Sequence, residues 1–500
     1  MKKTMIIVGA GIAGLTTGCY AQLNGYQSTI FEMHSIPGGL CTAWKRKGYT
    51  FDLSMHEFVN SASGPFHKMW QELGIIKNQQ FHYHDEMFRV EGLHKSLRVC
   101  PDQDELLDQL TALSPADAKR SKELVSLLTG PDMMGAVSLK PSEIMTISDK
   151  FKILKAVLPS MGTLARYGKK TFQDFVQKFQ DSFLRDAVRF IADSPNWPMP
   201  NFPMSGLAGW MRTGLTGSGT PLGGSQGVIN RVAENFKELG GEIRYDQRVT
   251  DIIIENDHAV GIRLKDGSEH RADKVVWAGD GHTVIFDILG GKYIDNRIKR
   301  MYNEWIPIQP LINISLGVGQ DLSDKPRYLI FELQEPVTLA GQEHRWLTVR
   351  HRCFDPSMAP PGKSTAEVWI PSSYAYWEEL SRDRKRYEDE KQRIADVTIT
   401  ALDDHWPGIS SHIEVVDVAT PTTYVRYTGN WKGSPGGWYI TPDNLEMGDS
   451  PLRSLPGLSN FYMVGHWTAP STGIVMAALS GRQLIELLCK HEKRAFVASA

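Results

Sequence analysis

The sequence predicts an α/β protein: a Rossmann-like, doubly wound sheet that carries a β-meander, with a mixed α+β region inserted into it. Three observations lead there. The chain opens on a strand, a glycine turn, a helix and a second strand; an amphipathic helix followed by short strands begins near residue 222; and one strand and one helix stand near residues 460–489. Five hundred residues exceed what a single hydrophobic core usually holds, so a domain interrupted by a second one is the natural arrangement.

The elements follow in order. Met5 to Val8 reads as a strand, and the helix after it carries Ile12, Leu15, Cys19 and Leu23 on one face. A second strand, Ser28 to Phe31, ends at Glu32, which completes the opening of a βαβ unit. Leu73 to Gly219 is mostly helical in composition, and about Tyr302 to Glu446 is strand-rich. Between them Val228, Ile229, Val232, Phe236 and Leu239 mark a helix stopped by Gly240-Gly241. Short strands around Ile243, Val249–Ile254 and Val260–Leu264, a turn at Asp266-Gly267, and a return strand ending Val275-Val276-Trp277 are expected to form the meander.

Hydrophobic residues at 41% and charged residues at 22% are near the averages of folded proteins, so the whole chain is expected to fold. A formal net charge of -2 offers no field for polyanions, and no basic run interleaved with aromatics points to nucleic acid. Cys19, Cys41, Cys100, Cys353 and Cys489 are odd in number and lack CxxC spacing, which argues against a disulfide framework or a metal site and fits a reducing cytoplasm. Met1-Lys2-Lys3 before an apolar run has the look of a signal peptide, but Gly9, Gly11 and Gly14 interrupt that run with a pattern of their own. No run reaches the ~20 apolar residues of a membrane-spanning helix, so membrane contact is expected to be peripheral at most.

Gly9-Ala10-Gly11-Ile12-Ala13-Gly14 sits between strand and helix, with Glu32 eighteen residues after the last glycine. The first glycine permits the turn, the second lets a pyrophosphate approach the backbone, and the third lets helix and strand pack closely; Glu32 then holds a ribose. Glycine-rich turns are common, but strand, triplet, helix and acid together specify a dinucleotide. NAD and FAD both use this turn, and the flanks decide between them. Pro37-Gly38-Gly39-Leu40-Cys41 extends close backbone approach beyond the adenosine, and Gly48-Tyr49-Thr50-Phe51-Asp52 follows.

These segments resemble the family of FAD oxidoreductases that includes phytoene desaturases, carotenoid isomerases and retinol saturases, most specifically along GGLCTAWKRKGYTFD. Near the far end, Phe461-Tyr462-Met463-Val464-Gly465-His466-Trp467, leading through Thr472-Gly473-Ile474-Val475, is similar to that family's C-terminal flavin motif. A helix starting near Gly473 aims free N–H groups at the flavin, stabilising negative charge on its reduced form. Ala272 to Asp280, with Gly279, resembles a further flavin strand, and Val249 lies where such proteins touch adenine. Related flavoproteins usually have an acid where this chain has His466, which is expected to be a structural neighbour of the cofactor. The resemblance implies FAD as cofactor, held by an FAD-binding domain of residues 1–75, 222–290 and 455–490, and a substrate domain of 76–221 and 291–454.

No second strand-linked triplet exists, and Gly214 to Gly219 lacks a preceding strand, so electrons are expected to pass to or from the substrate, oxygen, a quinone or an external reductase. Between about 150 and 190, lysines and arginines punctuate Phe151, Leu154, Val157, Leu158, Phe172, Phe175 and Phe179, the pattern of an interfacial helix on an anionic membrane or, equally, of a solvated helix pair over a core. Most of the dense aromatics, Trp197, Trp210, Trp346, Trp369, Trp377, Tyr424, Tyr427 and Trp438 among them, are expected in the core, and a few along an apolar tunnel. For acid–base work the best placed groups are His56 and Glu57; Arg212, Tyr424 and His466 are weaker candidates. The resemblance implies desaturation, saturation or cis-trans isomerisation of carbon–carbon bonds in an isoprenoid or other lipid. A flavin-dependent amine oxidase, which shares the paired-glycine motif, and a non-catalytic flavin or lipid carrier stay open.

Overall fold

The computed structural model describes residues 2–131, 137–168, 170–207, 209, 211, 214, 217–446, 451–470 and 473–499. Five parallel strands lie in the order Phe461–Met463, Lys274–Trp277, Thr4–Val8, Gln27–Phe31, Glu242–Arg244. The central strand shows why its sequence is continuously apolar. Met5 and Ile7 point into the core beneath the helices Ile12–Leu23, Gly224–Glu238 and Ile474–His491, while Ile6 and Val8 point into the core on the other face, beside the meander. Alternate side chains meet different layers, and both layers are dry.

The α/β expectation holds, with one correction to the meander. Its strands are Val249–Glu255, His258–Leu264 and Glu269–Arg271, all antiparallel. The return run then breaks: Lys274–Trp277 leaves the meander and pairs in parallel with Thr4–Val8, and Ile243 belongs to the parallel edge strand, not to the meander. A contiguous β-prone run says nothing of its partners, which are chosen by long-range burial.

A second sheet of seven strands runs Ile413–Ala419, Leu311–Val318, Ser364–Pro371, Gln342–His351, Tyr328–Leu339, Phe88–Glu91, Ser96–Val99. The last two come from the stretch whose composition reads as helical, and Phe88–Glu91 pairs in parallel with Tyr328–Leu339. Helices from 103–191 pack against Ile330 and Trp346. Elsewhere on the sheet the long helix Arg384–His405, absent from the sequence reading, contributes Ile394, Ala401 and Leu402 to a further core.

The helix Ile147–Val157, opened by a Thr146/Asp149 capping box, buries none of its residues. Ile147, Phe151, Leu154, Leu158 and Met161 are all exposed, Phe151 at 68% and Leu158 at 59%. Their spacing of three and four places them along one helical stripe. Phe172, Phe175 and Phe179 are core residues, as is Tyr167, which fits a helix pair over a core for this part of the stretch. Among the described residues no helix is long and apolar enough to cross a membrane.

Candidate active site

The glycine turn is shaped by contact distances. Gly9 has φ 101°, a value that disfavours any side chain, and its N–H donates to Phe31 O at 2.8 Å. A Cβ on Gly14 would lie 2.0 Å from Gly9 O, so the helix can approach the turn this closely only with glycine there. The helix begins after Gly11 without a side-chain cap, which leaves its first N–H groups for a ligand. Gly38 N–H donates to Ala10 O at 3.0 Å, and Gly11 and Gly38 form an isolated parallel bridge. The paired-glycine segment is thus laced onto the first turn by backbone alone.

Glu32, 6% exposed, closes this cradle. Its Oε2 accepts the Ala10 N–H at 2.7 Å and its Oε1 accepts the His34 N–H at 3.0 Å. Burial pushes its pKa up, and these N–H groups oppose that by favouring the carboxylate. Each oxygen keeps a lone pair for a ribose hydroxyl. Asp52 has a different task. Its carboxylate accepts from the Ser225 hydroxyl at 2.6 Å and the Met55 N–H at 3.0 Å, clasping the hairpin Ala43–Arg46/Tyr49–Asp52 to the helix Gly224–Glu238.

A cavity of about 1000 Å³ runs from this turn to the second sheet. Gly9, Gly11, Ile12, Ala13, Glu32, Gly38, Gly39, Leu40, Val249, Gly279, Gly465, His466, Gly473, Ile474 and Val475 line it, and so do His56, Glu57 and Tyr424. Ala10 and Gly14 lie behind the lining, where Ala10 feeds its N–H to Glu32 and Gly14 supports the turn. Arg212 and Trp210 lie outside the described residues. Trp197, Trp369 and Tyr427 also line the cavity, whereas Trp346, Trp377 and Trp438 are buried core residues. The backbone cradle, the buried acid and the uncapped helix ends are what a dinucleotide such as FAD requires.

At the far end of the cradle Gly473, φ 89°, starts the helix Ile474–His491, again with no side-chain cap. His466 Nε2 donates to Gly473 O at 3.0 Å, tying the Gly465 turn to the helix start. Burial lowers its pKa, so it acts as a neutral strut.

The acid–base candidates are each tied to the second sheet. His56 lies with its Nδ1 2.7 Å from Arg350 NH1 and its ring edge-on to Trp369 at 4.7 Å between centroids. Burial, followed by the charges of Arg350, Arg352 and Arg327, holds its pKa well below the usual histidine value, so it is neutral and accepts from the guanidinium. Glu57 pairs with Arg327 at 2.9 Å. Tyr424 is buried, its hydroxyl has no hydrogen-bond partner among the described residues, and burial drives its pKa upward, so it keeps its proton.

Arg327, Arg350, Arg352, Glu367, Tyr328 and Asn196 were invisible to motif reading. A signal existed: Arg350-His351-Arg352 ends an otherwise strand-like run, and Glu367 interrupts Ala366, Val368 and Ile370 on a fully buried strand. Charges at such positions seldom serve packing.

A family model described as flavin containing amine oxidoreductase matches residues 12–484. Prolycopene isomerase of Arabidopsis thaliana chloroplasts is 26% identical over 520 residues, covering 97% of this chain and 82% of that relative. The lycopene-forming phytoene desaturase of Pseudescherichia vulneris is 23% identical over 514 residues, covering 98% and 99%. Among solved structures, an oxidoreductase from Methanosarcina mazei has a TM-score of 0.64 at 17% identity, covering 97% of this chain and 100% of that one. Wild-type putrescine oxidase bound to putrescine has a TM-score of 0.60 at 12% identity, covering 98% and 99%. At such identities the structural likeness is one of fold. The cradle, the cavity it opens into and a family match over most of the chain agree: this is an FAD-dependent oxidoreductase that belongs to the flavin containing amine oxidoreductase family.

Proposed function

We propose that the enzyme acts on carbon–carbon bonds of an apolar, polyene-like substrate, by desaturation, saturation or cis-trans isomerisation. The observation that carries this reading is one continuous cavity, in which the cradle residues lead directly to a wall containing Met87, Trp197, Leu311 and Trp369. Sequence relatives named as a prolycopene isomerase and a phytoene desaturase support the same class.

The residues proposed to hold FAD are Gly9 to Gly14, Glu32, Gly38 to Leu40, Val249, Gly279, Gly465, His466 and Gly473 to Val475. FAD, when bound, supplies a two-electron acceptor or donor. The protein's part is to exclude water with its aromatic wall, to keep His56 neutral, and to hold a proton on Tyr424 Oη within the cavity. Electrons that do not return to the substrate go to an external acceptor or come from an external donor. The exposed stripe from Ile147 to Met161, flanked by Lys150, Lys152 and Lys155, is proposed to rest on an anionic membrane from which an apolar substrate is drawn.

The test is anaerobic mixing of the FAD-loaded enzyme with lycopene-like polyenes while flavin absorbance is followed and products are separated. Bleaching with a new double bond means desaturation; an altered isomer without net bleaching means isomerisation. No change with any polyene, but turnover of amines, removes the proposal.

A further inference from the structure

One wall of the cavity carries Arg327 and Arg350, with Arg352 buried beside them, and two of these three have a carboxylate in contact. Arg352 lies 3.5 Å from Asp52 and 3.4 Å from Glu367. Arg327 lies 2.9 Å from Glu57. Arg350, on the strand Gln342–His351 and 8% exposed, has no carboxylate within 4.0 Å among the described residues. Its register partner across the sheet is Glu367, but that acid faces Arg352 and accepts the Asp52 N–H at 3.3 Å.

Glu367 and Glu57 act on Arg350 through space, but its direct contacts are rings and a neutral imidazole. Its guanidinium carbon is 4.0 Å from the centroid of Trp369 and 5.2 Å from that of Tyr328. One terminal nitrogen faces His56 Nδ1 at 2.7 Å, and the other is buried with no partner. A guanidinium stacked on rings is fixed in orientation, yet a buried cation with no anion in contact is less well satisfied than a paired one. Such a charge at the wall of a ligand cavity is stabilised when the ligand brings the anion. Asn196, 2% exposed and on the same wall, accepts the Tyr328 hydroxyl at 2.8 Å through its carboxamide oxygen, which leaves its N–H groups as the donors it offers.

We propose that Arg350 seats a carboxylate of the substrate, so that the molecule processed is an apolar acid, an unsaturated or isoprenoid chain ending in a carboxylate. With one terminal nitrogen on His56, the carboxylate takes the unpartnered one in a charge-assisted hydrogen bond. Anchoring one end fixes which carbon–carbon bond along the chain is presented for reaction. This assignment rests on the carbon–carbon reading above and narrows its substrate class from apolar polyenes in general to acids.

The test titrates FAD-loaded enzyme at neutral pH with cis-parinaric acid, a fluorescent tetraene acid, and with its methyl ester. The acid is expected to bind at least about ten-fold more tightly than the ester, a preference that Arg350→Gln abolishes and Arg350→Lys partly restores. Equal binding of acid and ester to the wild-type enzyme overturns the proposal without any variant having to fold, and so does an undiminished preference in a folded, FAD-loaded Arg350→Gln protein. Turnover completes the separation. If acids bind through Arg350 but no polyene of any kind changes its double bonds, the carbon–carbon reading fails and the carboxylate seat stands. If hydrocarbons turn over and acids neither bind nor compete, the seat fails and the carbon–carbon reading stands.

Discussion

Glu32 Oε2 accepts the Ala10 N–H at 2.7 Å across the mouth of the glycine turn, so the acid proposed to hold a ribose also holds the turn in shape. Glu32→Ala removes this contact and the one to His34 N–H. Each is a charge-assisted bond worth about 1.5–3 kcal/mol, so FAD affinity is expected to fall at least about ten-fold. Glu32→Gln, which retains one acceptor, is expected to lie between. Flavin absorbance per protein after dialysis, and the dissociation constant for added FAD, check this; unchanged retention in Glu32→Ala would assign the ribose to another group.

Gly14→Ala is expected to be more severe than its size suggests. Its methyl group would lie 2.0 Å from Gly9 O, a backbone atom that cannot swing aside. The helix must therefore retreat, at a cost of about 1–3 kcal/mol, and the protein is expected to purify without flavin. A yellow, normally stable Gly14→Ala protein would contradict the packing described.

Stability is expected to fall as pH drops below the ordinary histidine range. Burial holds the His84 pKa down to about 2, so the folded protein keeps it neutral while the unfolded chain protonates it below about 6.5. Between those values the unfolded state binds the extra proton, so folding stability decreases with falling pH, by at most about 1.4 kcal/mol per pH unit for this group. His84→Gln is expected to lessen the loss between about pH 6.5 and 5 in chemical denaturation. Parallel pH profiles for variant and wild type would rule out His84 as a source.

Replacing Phe151 and Leu158 together by glutamate is expected to abolish flotation with anionic vesicles. Both are exposed, at 68% and 59%, so folding stability is expected to change by no more than about 0.5 kcal/mol at each site. Wild-type protein that fails to float would leave the stripe without a membrane role.

Much of the cradle was legible because its chemistry is written in contiguous residues. Gly9 to Gly14, Gly38-Gly39 and Gly465 to Val475 specify backbone shapes that only glycine-rich turns and helix starts provide, and such shapes are set within a few residues. Pairing across long distances was not legible in the same way. The run ending at Trp277 is divided between two sheets, and Phe88–Glu91 joins strands 240 residues later, because strand partners are selected by which faces become dry. The two readings of 150–190 could not be separated for a related reason: Phe151 and Phe172 belong to similar local patterns, and only the packed helices decide that one is outside and the other inside. His56 and Glu57 are candidates from their place after the Asp52 motif, but their partners Arg350 and Arg327 arrive from the second sheet. Local backbone geometry follows from neighbouring residues. Burial and charge pairing follow from residues hundreds of positions apart, and those are brought together only by the tertiary fold.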